Sequence, residues 1–204
     1  TTNGNFGDRR KEIVKFLVEN NFYISLSFDG YKEIQDSQRP RADGKSSFEE
    51  VMKVIEEFKQ YGDINKYIYP RFTLTSEALM NINKIVDFFI NLGFTKIRFA
   101  ELMLEGDAVK NTMQPIDLDK VVRVMPKILL KCEERGIDIS GDFDPRKPSG
   151  THPCAYMEGR AVSLDKDLNL AACKSYHPVF KIGKIENGKV LINDEQLAKL
   201  NNRN

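Results

Sequence analysis

Tryptophan is absent from the 204 residues, and only two histidines and three cysteines are present. Cys132, Cys154 and Cys173 make no disulfide framework, so a reducing compartment, the cytoplasm, is the expected setting. His152 and His177 leave little for a histidine-based metal or acid–base centre. Charge of one sign is missing too. A net charge of +1 supplies neither a basic field for nucleic acid nor an acidic solvating tail. The longest apolar runs, such as residues 88–90 and 128–130, are far too short to cross a bilayer, so no membrane is expected. What remains is a soluble balance, 41% hydrophobic and 30% charged, long enough to bury a real core.

The periodicity of the first two thirds alternates between two and 3.6. Residues 22–28 (FYISLSF) read as a strand ending in the turn Asp29-Gly30. Residues 47–61 place Phe48, Val51, Val54, Ile55 and Phe58 at helical spacing, with Ser46 or Ser47 available as a cap. Residues 66–75 (KYIYPRFTLT) read as a strand despite Pro70, which argues against a central position. A helix over 80–92 closes at Gly93, a strand follows over 95–102, and a helix over 118–135 closes at Gly136. Strand and helix in alternation with short loops predict an α/β fold with parallel crossovers. Three such strands alone would leave bare sheet edges, so the chain reads as a piece of a larger sheet. The strand at 22–28 is then an edge through which artefactual oligomers could form, and residues 1–4 (TTNG) are expected to fray. A complete small α/β domain is the alternative.

After Gly136 the pattern changes. Residues 142–153 are rich in Pro, Gly, Lys and Asp and read as a linker. Residues 160–164 and 168–173 flank Asp165-Lys166-Asp167 as a β-hairpin, and Asn187-Gly188 marks a second one between 180–185 and 189–192. A short helix capped by Asn193 or Asp194 ends the reading. Domains are therefore expected at 1–141 and 142–204.

Taken together these pieces resemble a radical S-adenosylmethionine (radical SAM) enzyme with a SPASM-type extension. Thr1-Thr2-Asn3-Gly4 resembles the end of that family's third barrel strand, and Ser27-Phe28-Asp29-Gly30 its S-x-D-G strand. Glu33, Asp36, Arg39 and Pro40, followed by Asp43-Gly44-Lys45-Ser46-Ser47-Phe48, resemble the loop after it. Residues 71–75 and 97–99 resemble strands five and six. Cys154 and Cys173 are 18 residues apart, which fits the opening SPASM pattern C-x(9–15)-G-x4-C, with Leu168 where glycine is usual. That leucine implies a turn built differently from the family's. Residues 180–185 (FKIGKI) resemble the F-x-I/L-G-N-I stretch.

The resemblance implies the second half of a partial (β/α)6 TIM-like barrel with a small hairpin-containing extension. The parent would be an oxidoreductase-like peptide or protein maturase using S-adenosylmethionine and [4Fe-4S] clusters. It further implies that Thr2, Ser27, Arg39 and Arg71 line the cofactor and that Cys154 and Cys173 ligate an auxiliary cluster. Arg39 and Arg71 could instead pair with Asp36 or Glu101, and Ser27 could simply cap a turn. The family's C-x3-C-x2-C motif, which binds the radical-generating cluster, is not among the residues, so the chain alone is expected to be inactive with no complete cluster. Expected partners are the peptide or protein substrate and S-adenosylmethionine. In sulfatase-maturating members the second SPASM cysteine is followed by Asp; here Lys174 follows Cys173, which argues for another peptide-modifying branch. From a different class, a cluster-free α/β module that binds a peptide or partner protein is the competing reading.

Overall fold

Four parallel strands form the first sheet, in the spatial order β1 (Ile24–Ser27), β2 (Ile68–Leu74), β3 (Lys96–Glu101) and β4 (Asp138–Gly141). The structure is a computed structural model, and it describes residues 1–102, 116–141, 144, 156, 161–173 and 177–201. Two units divide the chain, Thr1–Arg146 and Lys147–Asn204.

In the first unit the strands alternate with α1 (Arg10–Glu19), α2 (Lys32–Gln38), α3 (Ser47–Lys59), α4 (Ser76–Met80), α5 (Ile82–Asn91) and α6 (Leu118–Glu134). Ser46 caps α3 by accepting from Glu49 N at 3.2 Å. Thr75 caps α4 through Ala78 N, and Asp117 caps α6 through Asp119 N and Lys120 N. The expected strands and helices are present, and β4 adds a fourth strand beside β3. α1, α2, α4 and β4 are not among the expected elements.

One face of this sheet makes the core. Ile24, Leu26, Ile68, Phe72, Leu74, Ile97, Phe99 and Ile139 are buried in one cluster with Val51, Phe58, Ile85, Phe89, Met125 and Cys132 from the helices. Each large side chain fully removed from water contributes about 1.5–3 kcal/mol, so this face dominates the unit's stability. Strand residues between them point the other way and are polar: Ser25, Ser27, Tyr69, Arg71, Thr73, Lys96 and Arg98. Cys132 is a core residue, buried on α6 along with Leu129.

Pro70 does sit in an inner strand. Tyr67 O and Arg71 O accept from β1, so even-numbered residues of β2 direct their backbone groups towards β3. The ladder to β3 begins only at Arg71, so the N–H that Pro70 lacks falls just before that pairing starts.

Residues 1–4 do not fray. Thr2 N donates to Ser25 O at 3.0 Å and Ser27 N donates to Thr2 O at 2.8 Å, a parallel bridge that extends the β1 edge.

The second unit is an antiparallel sheet in the order β5 (Ser163–Leu164), β6 (Asn169–Ala171), β7 (Lys181–Glu186) and β8 (Lys189–Ile192), followed by α7 (Asp194–Asn201). Asn187 and Gly188 both take positive φ, 51° and 71°, as the expected two-residue hairpin requires. Asn193 Oδ1 caps α7 through Gln196 N at 3.0 Å. Leu168 corrects an expectation: it adopts φ 61°, so the turn keeps the left-handed geometry that glycine would give. Asp165 makes this tolerable by accepting from Asp167 N, Asn169 N and Asn169 Nδ2 at 2.8–2.9 Å. Among the described residues, no helix is long and apolar enough to cross a membrane.

Candidate functional site

The turn after β1 builds a clamp. Asp29 is fully buried, and Gly30 behind it takes φ +141°, where a Cβ would stand 3.1 Å from Ile85 Cγ1. That turn holds the Asp29 carboxylate over the end of β2, where it accepts from Thr73 N at 2.7 Å. Arg39, just past α2, closes on it in a forked pair, Nε to Oδ2 at 2.6 Å and Nη2 to Oδ1 at 3.2 Å. Nη2 also donates to Thr73 Oγ1 at 3.1 Å, and Asp29 N donates to Gln35 Oε1 at 2.7 Å. Arg39 therefore pairs with neither Asp36 nor Glu101. Its Nη1 makes no hydrogen bond among the described residues.

Asp36 is committed elsewhere. It accepts from Phe48 N, Ser46 Oγ and Ser47 Oγ, fastening the start of α3 to α2. Burial pushes this carboxyl up, but those donors and Lys32 outweigh it and hold it below its ordinary value. Between these two fastenings lies a cavity of about 500 Å³ lined by Asn3, Gln35, Arg39, Arg41, Ser47 and others. Arg41 braces its rim through Asp43 at 2.6 Å, an interaction that drives the Asp43 carboxyl far down.

The polar face of the sheet carries the remaining candidates in a row fixed by register: Ser27 beside Arg71, Arg71 beside Arg98, Arg98 beside Ser140. Arg71 is exposed and makes no ion pair among the described residues. Arg98 forks onto Asp138 at 2.7 and 3.1 Å. Towards the opposite end of the strands, Lys96 Nζ sits 4.7 Å from the Tyr23 ring and 5.0 Å from the Tyr69 ring. Ser25 Oγ is buried on this face with no hydrogen-bond partner. Ser27 Oγ makes no hydrogen bond among the described residues. Thr2 stands apart: it bridges Leu26, a core residue, and its Oγ1 accepts from Gly4 N at 3.2 Å. Asn3, its neighbour, is the residue of that segment that reaches the cavity.

No family model matches the chain. A cysteine-type anaerobic sulfatase-maturating enzyme of Clostridium perfringens is 29% identical over 126 residues, 60% of this chain and 33% of its own length. Its counterpart in Clostridium novyi is 36% identical over 86 residues, 42% of this chain and 22% of that protein. Over these segments the chain is similar to the anaerobic sulfatase-maturating enzymes. The chain thus spans about a third of the Clostridium perfringens relative.

The solved structure of native anSMEcpe with bound AdoMet superposes with a TM-score of 0.69 at 21% identity, over 98% of this chain and 56% of that one. The same protein with AdoMet and the Cp18Cys peptide gives a TM-score of 0.67 at 20% identity, over 98% and 57%. These likenesses show the shared fold, an α/β architecture with a parallel sheet. The relatives bear the name of the sulfatase-maturating branch, against which Lys174 argued.

The clamp gathers Arg39 with Asp29 and Thr73, and the row above the core gathers Ser27 with Arg71. Thr2 is not gathered with them by its side chain. Cys173 follows β6, whereas Cys154 and Lys174 lie outside the described residues. Thr73, Arg98 and Asp138 were missed, although period-two alternation already places Thr73 and Arg98 on the side of Arg71. Gln35 carried no comparable signal.

Proposed function

We propose that the chain is part of a radical SAM enzyme that matures a peptide or protein, comprising the second half of a partial (β/α)6 barrel and the opening of a SPASM domain, with the division near 141–142. The observation that carries it is the polar face itself. A parallel sheet normally covers both faces with apolar contacts, yet this one places hydroxyls and cations at adjacent register positions, with a buried hydroxyl at Ser25 that has no partner. AdoMet offers a carboxylate, an ammonium and ribose hydroxyls, the complement of such a surface. Ser27, Arg39 and Arg71 would hold it, with Thr2 contributing by its backbone position on the β1 edge.

Bound AdoMet with its cluster supplies one-electron hydrogen-abstraction chemistry; the residues described here bind and orient. The clamp on Asp29 keeps the Arg39 guanidinium in one orientation, so no ordering of that long side chain is needed when a ligand arrives. Cys154 and Cys173 are proposed thiolate ligands of an auxiliary [4Fe-4S] cluster. The chain by itself is proposed to be inactive, for want of the residues that bind the radical-generating cluster.

Two substrate readings divide this proposal. The names of the relatives favour oxidation of a cysteine in a sulfatase-type peptide. Lys174, in the place of an acidic residue after Cys173, favours another peptide modification, because an ammonium cannot serve as a general base near neutral pH without a large shift. The test is anaerobic reconstitution of the complete enzyme with AdoMet and the Cp18Cys peptide, read by mass spectrometry. AdoMet cleavage with a modified cysteine supports the first reading, and cleavage without it the second. Failure to bind or cleave AdoMet refutes the enzyme assignment and favours a cluster-free peptide-binding module.

A further inference from the structure

The sheet of the second unit ends on an open edge. β8 is its outer strand, and no strand pairs with the far side of β8 among the described residues. All four residues of β8 are exposed, Val190 at 60% and Leu191 and Ile192 at 43%. Soluble proteins protect such edges with charge, proline, a bulge or a covering element, and β8 carries only Lys189. The opposite edge, β5, is just two residues long. In the first sheet, Thr2 bridges the edge at β1.

Register fixes what the edge presents. Asn193 N donates to Ile182 O at 2.7 Å, and Leu191 and Lys189 stand opposite Lys184 and Glu186 in the same alternation. Odd-numbered residues here therefore direct their N–H and C=O groups to β7, and Val190 and Ile192 direct theirs outwards. Ile185 N agrees with this phase, since it donates to Leu168 O on the other side of β7. Side chains alternate as well: Val190 and Ile192 share one face, Lys189 and Leu191 the other. Ile192 has only Gly183 opposite it in β7, so no cross-strand side chain covers it. The two ends of the strand differ in charge. Lys189 opens it and Asp194 follows it, and neither makes an ion pair among the described residues.

This edge is complementary to itself. With a second copy set antiparallel, Val190 lies opposite Ile192 of that copy and Leu191 opposite its own counterpart. The outward groups of Val190 and Ile192 then exchange N–H···O bonds in both directions. Each Ile192 gains the branched neighbour that Gly183 cannot supply, and the two leucines meet at a closely spaced position. Lys189 comes to the acidic start of the other copy's α7, whereas a parallel arrangement would set lysine beside lysine. The two-fold axis uses both edges at once, so the pairing closes at two copies.

We infer that β8 is a homodimer interface, joining the second units of two copies of this chain in one continuous antiparallel sheet about an axis at Leu191. The inference does not depend on the proposed function.

The test is sedimentation equilibrium of the complete protein over about 10–1000 µM, because one strand pair is a small interface and associates weakly. Wild type should rise from the mass of one copy towards two. Val190→Pro removes an N–H that β7 does not use, so it should fold and stay monomeric. Leu191→Lys and Leu191→Glu, each opposed to itself at the axis, should stay monomeric too. Mixing these two should give a heterodimer about tenfold tighter than either variant forms alone. Unfolding midpoints check that each variant folds; if Val190→Pro does not, the mixture decides. A wild type that stays monomeric overturns the inference. So does a dimer that Val190→Pro leaves intact, or a mixture that does not recover. A monomer that binds the Cp18Cys peptide, and loses it in Val190→Pro, assigns the edge to a peptide and overturns the inference as well.

Discussion

Replacing Asp29 with asparagine alters one atom of the clamp and almost no volume, and it should destabilise the first unit by about 2–3 kcal/mol. The carboxylate is 1% exposed and accepts from Arg39 Nε, Arg39 Nη2 and Thr73 N. Asparagine can still accept from Thr73 N through Oδ1, but its amide nitrogen then faces the Nε–H of Arg39, donor against donor. Removing one partner of a buried ion pair costs about 3–5 kcal/mol. Arg39 is 32% exposed, so water takes up part of the orphaned charge and the expectation is reduced accordingly. With a urea slope of about 2 kcal/mol/M, the midpoint should fall by about 1–1.5 M. Adding Arg39→Met to the variant should recover most of the loss, because the unpaired cation is gone and an apolar side chain of similar length remains. A loss below about 0.5 kcal/mol, or no recovery in the double variant, would refute the clamp, since that is the range of an ordinary surface substitution.

Three further outcomes follow from other parts of the molecule. Asp36 has a folded-state pKa below its unfolded value, so its contribution is present above the unfolded pKa, about 3.9, and is lost as pH falls through the lower folded value. Unfolding free energies measured from pH 5 to pH 2 should therefore fall less steeply in Asp36→Asn than in wild type, and parallel curves would contradict this. Leu168→Gly should raise the stability of the second unit by up to about 1 kcal/mol by relieving the left-handed backbone, read as a higher thermal midpoint. Leu168→Val, β-branched at the same φ, should lower it by about 1–2 kcal/mol, and equal midpoints for the two variants would argue that this turn is not strained.

Local order was largely legible before any contact was known. Apolar residues at helical spacing mark α3, α5 and α6, alternation marks β1, β2 and β3, and Asn187-Gly188 marks the second hairpin because few residue pairs accept two positive φ values in succession. The signals behind these elements lie within a few residues of one another. What escaped was short or weakly punctuated. β4 has only four residues, and α1 begins at Arg10 with no side-chain cap from Arg9, although Ile13, Val14, Leu17 and Val18 keep the helical period.

The site divides along the same line. Residue types and their order placed Ser27 at the end of its strand and Arg71 within the next, and alternation turned Arg71 away from the core face. Tertiary structure alone decided which cation is neutralised. Asp29 meets Thr73 across 44 positions, and Arg98 meets Asp138 across 40. Such pairings depend on strand register and on where a turn aims its carboxylate, and neither is set by neighbours along the chain. The sequence shows an arginine at 39 and another at 71; only the packed sheet makes one a clamp and leaves the other with a charge to share.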